Sequence, residues 1–161
     1  MKYLRMDGGS QLALLANLRS MPAYLAARFG GLTAEEALRP GPANTFSPVE
    51  QCWHLADLER EGFGERMRRL RAESKPVLPD FDGETIARVR NYRGKSLAEA
   101  LAAFQRARAE NLAFIESIDL AEWNRDGVQE GVGPVALCDI PVMMSQHDAA
   151  HRAEIEAWGR Q

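Results

Sequence analysis

The chain has 161 residues, of which 45% are hydrophobic and 27% charged. That balance suits one globular domain over residues 1–161 and excludes wholesale disorder. A formal net charge of −3 supplies no electrostatic drive toward nucleic acid. No apolar run approaches the ~20 residues that cross a bilayer, and the opening MKYLRMDGGS lacks the apolar core of a signal peptide. The expectation is a cytoplasmic protein with neither membrane nor nucleic-acid partner, its Cys52 and Cys138 reduced packing residues.

The first helical segment runs from about Ser10 to Arg28, with Leu12, Leu15, Leu18 and Leu25 at helical spacing. Pro22 inside it is expected to kink or shorten the helix. Residues 30–45 form a Gly/Pro-rich connection with one helical turn at Ala34 to Leu38. The second helix starts at Ser47, an N-cap followed by Pro48 at the first position and Glu50 as capping-box partner. It runs to about Ala72. Its arginine run, Arg66 to Arg71, reads as a solvated helix edge, with an anion-binding patch as the other reading. Residues 80–94 fit either a short helix or an extended piece. The third helix starts at Ser96, with Glu99 as the partner in a second Ser-x-x-Glu box, and carries Leu97, Leu101, Phe104, Leu112 and Ile115 to about Ile118. A glycine-rich turn region, 124–134, precedes the fourth helix, Pro134 to about Trp158, in which Pro141 marks either a kink or a later start. The sum is an all-α four-helix bundle with long connections. No alternating runs bounded by hairpin turns support β-structure.

The three histidines carry the chemistry. His147 and His151 are four apart on one helix, so their side chains point about 40° apart and one turn along the axis. Two imidazoles so placed reach a single ion. His54, between Trp53 and Leu55 in an apolar turn of the second helix, supplies a third nitrogen from across the bundle. Three protein ligands with an open position are the pattern of a catalytic metal centre. Asp57, Glu61 and Glu154 share faces with these histidines and are the candidate catalytic or orienting carboxylates, as is Glu50 beside its cap. Cys52 and Cys138 lie on the wrong faces to reach the ion. HDAAH departs from the HExxH of zinc proteases at Asp148, and Gln51 and Met144 stand where a di-iron bundle carries glutamate. A mononuclear site follows.

WHLADLER in the second helix and HDAAHRAEI in the fourth resemble the DinB/YfiT-like superfamily. The likeness extends to the Asn91–Arg93 patch, the stretch ALAAFQRARAENLAFI and the Trp123-containing turn. Pro141 departs from the fuller pattern. The resemblance implies a metal held by His54, His147 and His151, with nickel or zinc the divalent ions most in keeping, and a homodimer. It implies thiol-dependent transferases or isomerases among the relatives, hence a small-molecule substrate or a low-molecular-weight thiol. Two functions stand: a metal-dependent transferase or hydrolase, and a non-catalytic metal- or ligand-binding bundle in stress response.

Overall fold

The computed structural model describes residues 2–161. Among them the helices are α1 (Lys2–Arg5), α2 (Gly8–Phe29), α3 (Ala34–Leu38), α4 (Pro48–Asp57), α5 (Glu65–Ala72), α6 (Gly83–Val89), α7 (Leu97–Glu116) and α8 (Ile140–Gly159). A π-helical turn, Leu58–Gly64, joins α4 to α5, so these form the expected long second helix. Its wider winding needs backbone room: a Cβ on Gly64 would stand 2.7 Å from Asn111 Oδ1 and 3.0 Å from Glu59 O. The four bundle members are α2, α4–α5, α7 and α8. The second packs on the third, the third on the first, and the first on the fourth.

Asp7 caps α2 through the Ser10 N–H, at 2.8 Å. At the start of α4, the Glu50 carboxylate accepts from the Ser47 N–H at 2.9 Å and from its hydroxyl at 2.6 Å. Ser96 accepts from the Glu99 N–H at 3.2 Å, but the reciprocal bond of the expected second box is not among those formed. Pro141 occupies the first turn of α8, where its missing N–H costs nothing. The helix therefore starts after the glycine-rich region and has no kink at this residue.

Pro22 neither ends nor shortens α2. Proline leaves the carbonyl four residues back, that of Leu18, without its helical donor. Arg108 Nη1 donates to the Leu18 carbonyl at 2.8 Å. The same guanidinium pairs with Glu59 at 2.7 and 3.0 Å and with Asp148 at 2.7 and 2.8 Å, while Asn111 Nδ2 donates to the Glu59 carbonyl at 2.7 Å. Arg108 is 1% exposed. Along α7 it falls between Phe104 and Leu112, which belong to two different apolar clusters. One cluster centres on Leu18, Met67, Leu70, Ile115 and Met144, the other on Met21, Leu25, Cys52, Leu55 and Trp158. A buried polar layer separates them, and the histidines lie in that layer.

The expectation of no β-structure fails. β1 (Val77–Leu78) pairs in parallel with β2 (Asp126–Gln129), which pairs antiparallel with β3 (Gly133–Ala136). Strands of two to four residues leave too little alternation to read. The turn between β2 and β3 uses Gly131 and Gly133 at φ +75° and +102°, backbone that favours glycine. Within 80–94 the helical alternative holds, as α6 followed by a 3-10 turn at Tyr92–Gly94. The turn at Ala34–Leu38 is also helical.

Candidate metal centre

His54 on α4 and His147 and His151 on α8 face one another across the bundle. One ring nitrogen of each lies within 4.8 Å of the others. His147 Nε2 stands 3.0 Å from His151 Nε2 and 3.4 Å from His54 Nε2. Two nitrogens bound to a tetrahedral ion at 2.0–2.1 Å are about 3.3 Å apart, so the spacing fits a shared divalent ion. His54 and His151 are buried and His147 half-buried.

Burial disfavours the imidazolium form in all three. It lowers His54 to about 4 with help from His151, and His151 to about 4 by burial alone. His147 falls to about 2 through burial, then the two neighbouring histidines, then the cations Arg108 and Arg66. At neutral pH the three rings are unprotonated, the state a metal ligand requires.

The rings are held differently. His151 Nδ1–H donates to Gln51 Oε1 at 2.5 Å, and Gln51 Nε2 donates to Glu154 Oε2 at 2.6 Å. A carboxylate only accepts, so Glu154 orients the amide, and the amide leaves the His151 Nε2 lone pair free. His54 has no such support. Its Nδ1 is buried with no hydrogen-bond partner. Packing fixes this ring: Phe46 at 5.5 Å and Phe81 at 6.1 Å between centroids, and Gly83, on which a Cβ would lie 2.6–2.7 Å from His54 Cε1 and Nδ1.

The candidate carboxylates separate. Asp57 is buried and taken up by the Arg90 guanidinium at 2.6 Å and the Tyr92 hydroxyl at 2.5 Å. Burial, then the bond to Asp57, pushes the Tyr92 phenol up. Glu61 pairs with Arg90 at 2.5 Å. Neither lines the cleft over the histidines, whereas Glu154 does. Glu50 lines it too, bound to Ser47 and, at 3.3 Å, to Arg93. Asp148 turns away toward Arg108. Burial pushes the Cys52 thiol up, and both cysteines are free and buried.

Sequence reasoning uses Gln51 only to exclude a di-iron motif and misses its bond to His151, although it lies one turn before His54. It also missed Arg108, whose place in the apolar stripe, four after Phe104 and four before Leu112, was the available signal. The solvated-edge reading of the arginine run fails at Arg66, which is buried.

The cleft holds about 980 Å³ and reaches His54 and His151. A second recess of about 470 Å³ reaches His54 and His147. Phe81 and Asp80 line both, and so stand between them.

A helical bundle with three histidines from two facing helices defines the class, and comparison gives the family. The model of the DinB superfamily matches residues 17–155, and the chain belongs to that superfamily. Among solved structures it is similar to YfiT from Bacillus subtilis, described as a probable metal-dependent hydrolase with an unusual four-helix bundle topology. The TM-score is 0.87 at 16% identity, over 96% of this chain and 89% of that one. No curated protein matches.

Proposed function

We propose that the protein is a mononuclear divalent-metal-dependent hydrolase, its ion held by His54, His147 and His151. The convergence of one ring nitrogen from each of three neutral imidazoles, where the cleft and the smaller recess meet at His54, carries this reading. Three protein ligands leave a coordination position for substrate or nucleophile. The bound ion would supply a Lewis acid that lowers the pKa of a water or small thiol and polarises an acyl oxygen.

The chain's own groups do the rest. Gln51 keeps the His151 ring in one tautomer and orientation. Glu154, on the cleft wall, is the carboxylate placed to accept a proton from the nucleophile, replacing Asp57 and Glu61, which Arg90 holds. Phe46 and Phe81 keep solvent from the His54 edge of the site. The relative described as a probable metal-dependent hydrolase supports hydrolysis as the reaction. A small-molecule substrate, nickel or zinc as the ion, a cytoplasmic setting and a homodimer belong to the same reading. For the setting, the fold offers only that no helix among the described residues is long and apolar enough to cross a membrane.

The test is metal analysis of untagged protein, with Ni²⁺ and Zn²⁺ titrations, followed by assays on ester and amide substrates with and without glutathione. One ion per chain, abolished by His147→Ala, is expected, with turnover independent of thiol. A chain that takes up neither ion stoichiometrically would overturn the metal centre. Turnover only with glutathione would replace hydrolysis by thiol transfer. Tight metal uptake without turnover of any substrate would leave a binding protein instead.

A further inference from the structure

The recess on the His147 side contains an anomaly. Of the arginines in the 66–71 run, Arg68 pairs with Glu65 at 3.0 Å, Arg69 with Glu73 at 2.7 Å and Arg71 with Glu122 at 2.9 Å. Arg66 is the buried member, 6% exposed, and it forms no ion pair among the described residues. Its contacts are a long 3.4 Å approach to the Pro79 carbonyl and the Phe63 ring at 5.9 Å. Asp80 acts on it only through space. Arginine is rarely buried without a carboxylate partner, because an unpaired charge in the interior is costly.

A second polar group in the recess has an atom with no partner. Gln129 is 4% exposed, and its Oε1 is buried with no hydrogen-bond partner. Both residues line the pocket with His54 and His147, and Leu58, Phe63, Phe81 and Met143 supply its apolar walls. A buried cation with no carboxylate at ion-pair distance, Asp80 included, a buried acceptor lacking a donor, and apolar walls beside them describe the complement of a ligand rather than a packed core.

We propose that this recess holds an organic carboxylate carrying an apolar group and a neighbouring N–H, as in an N-acyl amino acid. Arg66 takes the carboxylate, where its planar fork can donate twice. Gln129 Oε1 accepts from the N–H. The acyl carbonyl is then carried toward the imidazoles that end the recess. This deepens the hydrolase reading by naming its substrate class, and it rests on that reading only for the acyl group's fate, since the binding itself needs no metal.

The experiment is a ¹⁹F NMR titration of chelator-treated protein with N-(4-fluorobenzoyl)glycine, its primary amide, and its N-methyl analogue. Without an ion, the carboxylate has no metal to bind. At least tenfold tighter binding of the acid than of the amide is expected, lost in Arg66→Met and partly kept in Arg66→Lys. Gln129→Leu is expected to weaken the N–H acid severalfold and leave the N-methyl acid unchanged. Equal affinities for acid and amide in the wild-type chain would overturn the proposal, whatever the variants do. So would an acid preference that survives Arg66→Met. Metal uptake by the same preparation is measured separately, so loss of the metal centre and loss of the carboxylate site are distinct results.

Discussion

Replacing Arg108 by methionine exposes the energetics of the polar layer. The substitution keeps the apolar stem and removes a guanidinium that is 1% exposed. It strips donors from Glu59, Asp148 and the Leu18 carbonyl together. Breaking a buried ion pair by removing one partner costs about 3–5 kcal/mol. The lost bond to Leu18 adds about 1 kcal/mol. For a chain of this length each kcal/mol corresponds to about 2–4 °C, so a fall in Tm of about 10 °C or more is expected. Urea unfolding should show the same loss with an unchanged slope. A second substitution separates the parts. Pro22→Ala restores an N–H that can bond the Leu18 carbonyl, and in the Arg108→Met background it should recover about 1 kcal/mol. Such coupling appears in a double-mutant cycle and nowhere else. If Arg108→Met lies within about 1 kcal/mol of the wild type, with no coupling to Pro22, the layer does not work as described.

Three further outcomes are expected. Gly83→Ala places a methyl group 2.6–2.7 Å from the His54 ring and displaces it; calorimetry should show weaker metal binding while far-UV circular dichroism stays unchanged. Gln51→Leu frees the His151 ring, and such supporting partners are typically worth about 10–100-fold in metal affinity; competition against a chelator reads the change, and full affinity would refute the tautomer argument. In the metal-free protein the histidines have lowered values, so between about pH 6.5 and pH 4 the unfolded chain binds more protons than the folded one. Stability should therefore decline as pH falls through that window, and replacing His147 by glutamine should flatten the decline measured by thermal melts.

The helices were legible because their ends carry local chemistry: Ser47 with Glu50, and Ser96 before an apolar stripe, act within a few residues. The imidazoles were legible for a similar reason, since a spacing of four fixes their relative direction before any packing is known. For Asp57, helix arithmetic gives direction and not partners. Its partners, Arg90 and Tyr92, arrive from the short helix and turn that the sequence leaves open. For Pro22 the sequence shows only the local effect, while its compensation comes from Arg108, far along the chain. Arg66 shows the same limit, since a residue in a charged run is assigned to solvent until its neighbours are known.

The small sheet has a mechanical meaning. Backbone bonds from Val128 to Pro76 at 3.0 Å and from Glu130 to Leu78 at 2.9 Å, with the Asp80 N–H held by Glu130 Oε2 at 3.2 Å, tie the segment that carries Phe81 and Gly83 over His54 to the hairpin that feeds α8. The roof of the site and the helix bearing two of its histidines are thus riveted at one seam. The roof cannot lift at that edge without shearing these bonds, and any hinge is displaced to its far side, beyond Asp82. Hydrogen exchange at the Val128 and Glu130 amides accordingly becomes a clock for how often the two halves of the centre part.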